Sequence, residues 1–350
     1  MASSKRRRLD IPAVSISCLA EELLMKIFQH LSFFEKVNLS RVCKRWKKIS
    51  VDRELWKVID IAPENAFNIK IQKIFRKLAG SHTKVLRLRH HSTFSKSNRK
   101  TVDITATTWN MMMQYCCDIE ELYLEALDIS SFKTSYSLPS TLRRLYVVHC
   151  YDKAFGKSQT VQGPLQKSLL SHKSLELIDI YHTPYLFDTD QGGSSKLLLP
   201  VDDSKLLSLG VGYLSRPTKT FLEQLAMMEQ LTCLDMCRSG LTLTNLKELF
   251  RKLIRLERLD ISDNTIELAG SDDPNNAWTR LWADILPSLV ILKACRGRVG
   301  QAGKFYNWQQ LEDPFRCRPG LRVVACELIP HSRDCKLVSA LPSPTTQILV

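Results

Sequence analysis

Residues 19–56 read LAEELLMKIFQHLSFFEKVNLSRVCKRWKKISVDRELW, and this stretch decides the fold of the amino-terminal part of the chain. Leu23, Ile27 and Leu31 recur every four residues, a spacing that places all three on one face of a helix. Polar residues fall on the other faces. We therefore predict a short amphipathic helix at the start of the stretch.

Two further helices are predicted after it. Ser32 and Glu35 have the capping-box spacing, in which a hydroxyl and a carboxylate satisfy backbone amides in the first turn of a helix. Val42, Trp46 and Ile49 give the third helix its apolar side, with basic residues opposite. Three helices of roughly 10 residues each are too small to bury this much apolar surface among themselves. Part of that surface must therefore face another structure.

The stretch resembles an F-box, on the residues Glu22-Leu23-Leu24, Ile27-Phe28, Leu31, the run Leu39 to Trp46 and the closing run Asp52 to Trp56. The resemblance implies three helices that dock on the Skp adaptor of a cullin-RING ubiquitin ligase. The docking residues it implies are Leu19, Leu23, Leu24, Ile27, Phe28, Leu31, Val42, Cys43, Trp46, Leu55 and Trp56. The alternative interpretation is an ordinary helical hairpin whose leucines and tryptophans form only a core.

One position departs from the F-box pattern. The family usually begins with Leu-Pro, whereas this chain has Leu19-Ala20. A proline ring would fix the backbone angle φ just before the first helix. We expect the corner at Ala20 to be less rigid and the docking to be retained.

A leucine pattern recurs through the rest of the chain. A loose Leu-x-x-Leu-x-Leu motif has its middle apolar residue at Ile59, Leu86, Leu122, Leu145, Ile178, Leu207, Leu234, Leu259, Leu292 and Val324. The average spacing is roughly 29 residues, at the upper end of the leucine-rich repeat range. Two repeats carry the full signature, with Cys150 and Asn264 three residues beyond the strand, where their side chains can bond backbone groups.

These patterns predict an α/β solenoid. Apolar faces within Phe67 to Leu78 and Phe221 to Met228 predict helices between the strands. Each strand-plus-helix unit has one apolar side, which only a neighbouring unit can cover. We therefore expect a three-helix F-box followed by a curved leucine-rich repeat stack, with parallel strands on the concave face. The F-box/leucine-rich repeat family places such repeats after its F-box.

The predicted domains follow from the same patterns. Four parts are expected: a basic disordered tail at residues 1–14, the F-box at 15–57, the leucine-rich repeat domain at 58–330 and a tail or cap at 331–350. Residues 183–196 and 271–276 are dense in turn-forming residues and are predicted loops.

Composition argues against several other classes of protein. No apolar run approaches the roughly 18 residues of a membrane span, and no apolar segment follows Lys5 to Arg8, so we predict an intracellular chain, cytoplasmic and/or nuclear. The 11 cysteines are scattered without a Cys-x-x-Cys pair, which predicts structural thiols, no metal site and no cofactor. No catalytic motif is recognisable, which predicts a non-catalytic protein.

The formal charge of +14 raises the alternative of a nucleic-acid adaptor. Eight of the 50 basic residues lie in two clusters, at residues 5–8 and 44–48, and the others are spread along the repeats. Spread charge without a groove of basic and aromatic residues is typical of a solvated surface, so we do not expect nucleic acid as a partner. The run at residues 5–8 is the type that serves in nuclear import.

The outward side chains of the strands are the candidate substrate surface. The middle outward positions, which alternate with the inward leucines, are Asp60, Arg87, Tyr123, Tyr146, Asp179, Ser208, Asp235, Asp260, Lys293 and Ala325. We predict substrate contacts from Arg87, Arg89, Glu121, Tyr123, Glu125, Arg144, Tyr146, Asp179, Tyr181, Asp235, Arg258 and Asp260. The three tyrosines have the composition of an interaction hot spot, although tyrosines also pack across strands without such a role.

These features together predict a substrate receptor of a Skp-cullin-RING ubiquitin ligase. Its partners would be the Skp adaptor, through it the cullin and RING subunits, and a protein substrate presented for ubiquitination and degradation. Mixed charge along the strands argues against a receptor for phosphates alone, while Arg87, Arg89 and Arg144 leave a local phosphate site open. The alternative functions are a leucine-rich repeat scaffold outside any ligase and a basic nucleic-acid adaptor.

Overall fold

The computed structural model describes residues 16–61, 69–89, 106–127, 138–150, 169, 172–181, 205–214, 217–267, 286–293, 298–301, 304–307 and 322–324. The predicted tails and the two predicted loops lie outside these ranges. Within them, no helix is long and apolar enough to cross a membrane.

The amino-terminal part of the fold is helical. It contains 3-10 helices at Ile16–Cys18, Leu39–Arg41 and Arg53–Trp56 and the helices α1 (Glu21–Gln29), α2 (Phe33–Asn38) and α3 (Lys44–Ser50). The contact between Ser32 and Glu35 predicted at the start of α2 is confirmed, because the Glu35 carboxylate accepts from the Ser32 amide at 2.8 Å and from the Ser32 hydroxyl at 2.7 Å. These bonds lower the pKa of Glu35 and fix the start of the helix.

Trp56 lies at the centre of the helical core. Its indole N–H donates to the Ser50 carbonyl at 2.8 Å, and its ring centroid is 5.7 Å from that of Phe33 in an edge-to-face arrangement. Phe28 packs in the same way against Trp46, with ring centroids 4.8 Å apart. Edge-to-face aromatic pairs stabilise a core beyond the apolar area that they bury. This aromatic cluster holds the short helices together.

Thirteen strands occur within the described residues. They are β1 (Val58–Ile61), β2 (Val85–Arg89), β3 (Glu121–Glu125), β4 (Arg144–Val148), β5 (Leu177–Tyr181), β6 (Ser208–Gly210), β7 (Cys233–Asp235), β8 (Arg258–Asp260), β9 (Thr265–Glu267), β10 (Ile291–Lys293), β11 (Arg298–Gln301), β12 (Lys304–Asn307) and β13 (Arg322–Val324). Ten of them form one parallel sheet in the order β1 to β8, then β10 and β13, which confirms the predicted stack of parallel repeats. The other three form a small separate sheet.

The eight steps between neighbouring strands from β1 to β10 use the same backbone hydrogen bonds. The carbonyl of Lys57 accepts from the amides of Lys84 and Val85 at 2.9 and 3.0 Å, where β2 begins. The carbonyls that accept two consecutive amides of the following repeat in the same way are those of Lys84, Glu120, Arg143, Glu176, Leu207, Thr232 and Glu257. One carbonyl per repeat thus sets the register of the next strand.

The predicted centre of β6 is wrong. Leu207 lies just before the strand and is 46% exposed, while Leu209 takes the inward position opposite Ile178. The middle outward residue of β6 is therefore Gly210 and not Ser208. The error arises because Leu206, Leu207 and Leu209 all fit the loose leucine pattern, and only the pairing with β5 chooses among them.

The predicted centre of β13 is wrong by one residue. Val323, not Val324, lies opposite the inward Leu292 of β10. Val324 is therefore paired with Lys293, at the register position that was predicted for Ala325, and Ala325 falls outside the described residues. Two successive valines give the sequence pattern no means of telling the two faces apart.

Helices between the strands supply the other side of the core. They are α4 (Ile69–Leu78), α5 (Ala106–Tyr115), α6 (Lys219–Ala226) and α7 (Leu243–Phe250). Their buried side chains include Phe75, Trp109, Phe221 and Phe250. These residues join the inward strand residues and the aromatic cluster around Trp56 in one core. Packing is therefore continuous across residue 57, where the sequence predicts a domain boundary.

The buried cysteines behave as structural thiols. The Cys150 thiol donates to the Leu124 carbonyl at 3.6 Å, so this signature residue bonds the backbone as predicted. Burial raises the pKa of both Cys116 and Cys150 to about 12, which keeps these thiols protonated and unreactive.

Asn264, the other signature residue, joins two repeats. Its amide nitrogen donates to the carbonyls of Met236 at 2.8 Å and Ile261 at 2.9 Å. Its oxygen accepts from the backbone amide of Ser239 at 2.8 Å. Asn264 is 1% exposed, so no water can replace it as a partner for these backbone groups.

Replacing Asn264 by alanine should destabilise the protein by about 2 kcal/mol or more, because the buried Ser239 amide and Met236 carbonyl lose their partner. The midpoint of urea unfolding, followed by far-UV circular dichroism, measures the change. Arg255→Ala, on the exposed turn before β8, is the control and should change stability by less than about 0.5 kcal/mol. Equal midpoints for wild type and Asn264→Ala would contradict this role.

Candidate functional site: helical and strand surfaces

The helical part leaves several large apolar side chains in contact with solvent. Leu23 and Ile27 on α1 are 48% and 42% exposed, and Phe34 on α2 and Val42 before α3 are 44% and 60% exposed. Single exposed apolar residues are common, but several on one small helical unit are typical of a surface that a partner covers. We call Leu23, Ile27, Phe34 and Val42 the exposed apolar set.

Helix α1 divides its apolar residues between two faces. Leu24 and Phe28 are buried in the core, whereas Leu23 and Ile27 precede them by one residue and face solvent. One residue along an α-helix is a rotation of roughly 100°, so the two pairs cannot share a face. The sequence spacing shows both pairs, and only the packing shows which pair is free to bind.

The structure divides the predicted docking residues into three groups. Some are at most 1% exposed, so they belong to the core and cannot contact a partner in this fold: Leu24, Phe28, Leu55 and Trp56. A second group is partly buried against that core: Leu19, Leu31 and Trp46. The exposed group, which stays a predicted contact surface, is Leu23, Ile27, Val42 and Cys43.

Phe34 is an exposed candidate that the sequence analysis did not select. The signal is the pair Phe33-Phe34 in the first turn of α2. Adjacent helical residues point in different directions, so only one of the two can fill the core. Phe33 does so at 4% exposure, and Phe34 is left at the surface.

The corner before α1 already has a proline-like backbone. Ala20 has φ −61° and ψ 154°, and its carbonyl accepts from the Leu24 amide at 3.1 Å. The Arg45 side chain on α3 donates to the Leu19 carbonyl and so supports the corner from the opposite side. Ala20 thus keeps the conformation that the family's proline would impose, without the ring.

Ala20→Pro should stabilise the protein by about 0.4–1 kcal/mol, because the native φ suits proline and the unfolded chain loses freedom. Thermal unfolding by differential scanning calorimetry measures the change. Lys26→Pro, in the interior of α1, is the matched control and should destabilise by about 3 kcal/mol. A lower melting temperature for Ala20→Pro would show that the corner is not set for proline.

A charged network joins the helical part to the first two strands. Arg89 on β2 donates to both carboxylate oxygens of Asp60 on β1, with an Nε to Oδ1 distance of 3.0 Å. Lys36 on α2 is only 7% exposed. Burial lowers the pKa of Lys36, and the charge of Asp60 opposes that shift. The negative charge of Asp60 therefore balances the positive charges of Lys36 in the helical part and Arg89 in the repeats.

Asp60→Ala should destabilise the protein by about 1–2 kcal/mol, because it removes a charged hydrogen-bond acceptor from Arg89 and the negative charge near Lys36. Urea unfolding at low and high salt measures the change. The control is Glu54→Ala, which breaks the Glu54–Lys57 pair at 2.7 Å. The side chains of Glu54 and Lys57 are both about half exposed, so the loss of stability in Glu54→Ala should stay below about 0.5 kcal/mol. Equal losses would contradict a joining role for Asp60.

The middle outward residues of the strands form one row across the sheet. The cross-strand partners in order are Asp60, Arg87, Tyr123, Tyr146, Asp179, Gly210, Asp235, Asp260 and Lys293. Gly210 leaves a gap in this row. A Cβ atom there would lie 2.6 Å from Asp179 Oδ1, so the Asp179 carboxylate leans over β6.

The predicted arginines near the start of this row are held by carboxylates. The Arg87 guanidinium lies 3.0 Å from the Glu121 carboxylate, and the Arg144 guanidinium lies 3.7 Å from it. Arg89 is bound to Asp60 as described above. A phosphate would have to displace these carboxylates, so the arrangement does not favour the local phosphate site that the sequence left open.

Tyr123 and Tyr146 come together as a pair. Their rings lie on neighbouring strands with centroids 5.6 Å apart. Glu125, another predicted contact, is only 3% exposed. Burial and the nearby Glu125 carboxylate, which accepts from the Tyr123 hydroxyl, raise the pKa of Tyr123. Glu125 therefore supports Tyr123 from within the structure and is not an accessible contact.

Tyr181 lies apart from this pair. Its partner across the ladder is Val148, not Tyr146, so it sits two residues nearer the carboxyl ends of the strands. Its ring centroid is 5.0 Å from that of Tyr213, a residue that the sequence analysis did not select because it follows its strand. The three predicted tyrosines therefore form a pair and a separate site.

Negative charge is crowded at the later part of the row. Asp235 on β7 lies beside Asp260 on β8, and Asp260 pairs with Lys293 at 2.8 Å. Burial, and then the charge of Asp260, raises the pKa of Asp235 well above its ordinary value. Arg258 on β8 is exposed beside these groups. Within the described residues, no three side chains are grouped so as to hold a metal ion.

Comparisons with known proteins agree with the helical part of this description. Residues 16–62 match the family model described as F-box-like. The chain is 28% identical over 132 residues to the F-box/LRR-repeat protein 12 of Homo sapiens, covering 38% of this chain and 39% of that protein. It is 27% identical over 165 residues to an F-box protein of Saccharomyces cerevisiae, covering 44% of this chain and 24% of that protein.

Among solved structures, the chain is similar to an internalin of Listeria monocytogenes at 15% identity, with a TM-score of 0.35 over 88% of this chain and 95% of that one. A score this low carries no weight, and the strand register by itself defines the repeat stack. The matched region spans about two fifths of the length of the F-box/LRR-repeat relative. The chain therefore has an F-box-like domain at residues 16–62 followed by a sheet of parallel repeats, and over part of its length it is similar to an F-box/leucine-rich repeat protein.

Proposed function

We propose that this protein is a non-catalytic substrate receptor of a Skp-cullin-RING ubiquitin ligase. The F-box helices would bind the Skp adaptor, and through it the cullin and RING subunits, while the outward face of the repeats would hold a protein substrate. Such a receptor accelerates ubiquitination by raising the effective concentration of a substrate lysine near the loaded ubiquitin carrier. It would act in the cytoplasm, the nucleus or both.

One observation carries this proposal. Within an F-box-like domain, α1 presents Leu23 and Ile27 to solvent while the adjacent Leu24 and Phe28 fill its core. A free helix would gain nothing from two exposed branched apolar residues one turn apart, whereas an adaptor could bury both. The exposed apolar set therefore supports docking of a partner on the helical part.

The junction with the repeats suits a receptor. The core is continuous from the aromatic cluster into the repeats, and Asp60 bonds across the junction. Adaptor and substrate would then be held at a fixed separation. Deleting residues 1–60 would also remove most of β1 and the Trp56 cluster, so point substitutions test the two surfaces more cleanly than truncation.

Ile27→Asp should weaken binding of the Skp adaptor at least about 100-fold, because the partner would have to bury an unpaired carboxylate, at a cost of several kcal/mol. Isothermal titration calorimetry with the full chain and purified adaptor measures this. The variant should keep its fold, since Ile27 is 42% exposed.

Gln29→Asp is the matched control, because it places the same charge at an exposed polar position of the same helix. It should bind the adaptor within about threefold of wild type. Full adaptor affinity in a folded Ile27→Asp variant would refute docking through this face. Failure of the wild-type chain to bind any Skp adaptor would refute the proposed function as a whole.

A further inference from the structure

Four side chains from four consecutive repeats form a continuous strip beside the carboxyl ends of the strands. They are His149, Tyr181, Tyr213 and Arg238, and we call them the exit strip. The His149 and Tyr181 ring centroids are 5.7 Å apart, and those of Tyr181 and Tyr213 are 5.0 Å apart. The Arg238 guanidinium carbon lies 5.3 Å from the centroid of the Tyr213 ring.

The backbone of the exit strip is unusual for the side chains that it carries. His149, Tyr213 and Arg238 have φ of 53°, 70° and 52°, in the left-handed region. Their amides donate to carbonyls of the next repeat at 2.7 to 2.9 Å, so the repeat ladder imposes this conformation. Glycine adopts it with least strain. Ala126 and Asp263 have φ of 56° and 58° at the equivalent positions of other repeats. The left-handed turn is therefore a feature of the repeat that requires no particular side chain, and the exit strip is distinguished by the rings and the guanidinium that these turns carry.

Arg238 differs from the arginines at the start of the row. It is exposed, and within the described residues it makes no ion pair. Asp263 follows it at the equivalent position of the next repeat, yet the guanidinium lies over Tyr213 of the preceding repeat. Stacking on an aromatic ring holds a guanidinium plane in place while leaving its N–H donors available. Arg238 thus presents an oriented positive charge to solvent.

The tyrosines add further donors beside this charge. The hydroxyls of Tyr181 and Tyr213 are 3.4 Å apart. Burial, and then the bond to Tyr213, raises the pKa of Tyr181, so its hydroxyl stays protonated at neutral pH. The strip therefore combines apolar ring faces, phenolic O–H groups and one guanidinium. This composition is typical of interaction hot spots.

The dimensions suit an extended peptide. The strip crosses three inter-strand steps, or roughly 14 Å, which is the length of about four residues of extended chain. We propose that the exit strip binds an extended segment of a protein partner, with one aspartate or glutamate carboxylate held by Arg238 and neighbouring apolar groups on the rings of Tyr181 and Tyr213. The inference rests on the proposed function only in identifying this protein partner as the substrate of the receptor.

The surrounding charges select a carboxylate over a phosphate. The Asp263 carboxylate lies beside the strip, 3.9 Å from the thiol of Cys237, and Arg238 is the cation stacked within the strip. One guanidinium can compensate the single charge of a carboxylate. A phosphate carries a charge of about −1.5 to −2 and normally needs a cluster of cations, and the nearby Asp263 carboxylate would repel it.

The test starts from displayed random peptides of about twelve residues, selected on the immobilised full chain. Enriched peptides should contain Asp or Glu beside apolar residues. A synthetic enriched peptide should lose at least about tenfold in affinity when its acidic residue becomes Gln, or when the chain carries Arg238→Gln. Tyr181→Phe and Tyr213→Phe should weaken binding less. The phosphoserine version of the peptide should bind more weakly than the Glu version.

Arg255→Gln is the matched control, because Arg255 is an exposed arginine on the turn before β8, lies outside the predicted substrate surface and carries the same charge. It should bind the peptide as wild type does. Enrichment of no peptide, enrichment of peptides without acidic residues, a preference for phosphoserine, or equal binding by wild type and a folded Arg238→Gln variant would overturn the inference.

Adaptor binding, measured on the same samples, separates this inference from the proposed function. Arg238→Gln should leave adaptor affinity unchanged, because Arg238 belongs to the repeats and the exposed apolar set to the helices. A wild-type chain that binds the adaptor but selects no acidic peptide overturns the exit strip alone. Peptide binding through Arg238 in a chain that binds no adaptor refutes the ligase role and supports the strip.

Discussion

The backbone bond between successive repeats is the interaction on which the other features of this protein depend. At each step from β1 to β10 one carbonyl accepts two consecutive amides, and the next strand begins there. Side chains alternate between two faces along a strand, so a slip of one residue would exchange the core with the surface. The row from Asp60 to Lys293 and the left-handed turns of the exit strip are consequences of that register.

The ladder of these bonds begins directly beside the helical part. Lys57, which starts the ladder, directly follows Trp56, the residue at the centre of the helical core. The apolar core runs through this point without interruption, and Asp60 compensates charges on both sides of it. A receptor built in this way would set the distance between adaptor and substrate by packing and not by a linker. Substitutions at the junction would then alter geometry as well as stability.

The charge that the strand face offers to a ligand depends more on pairing between neighbouring side chains than on the net charge of the protein. Although the chain carries +14, Arg87, Arg89 and Arg144 are each bound to a carboxylate. Pairing of this kind leaves little charge to attract a ligand. Arg238 escapes it by stacking on Tyr213. Counting arginines in the sequence therefore overstates the positive potential of the first strands, where the arginines are paired. It also overlooks Arg238, the oriented positive charge after β7.

The sequence by itself determined the class of fold, the F-box-like helices, the parallel strands of the described repeats and the backbone bonds made by Cys150 and Asn264, because periodicity and short motifs are local properties. It could not show that Leu23 and Ile27 are exposed while Leu24 and Phe28 are buried. Nor could it show that Leu209, and not Leu207, faces the core. It also could not show that Glu125 is buried or that Tyr181 meets Tyr213 and Arg238. Each of these depends on which residue of another repeat or helix lies opposite, and only the tertiary structure decides that, because packing and register join residues that are far apart in the chain.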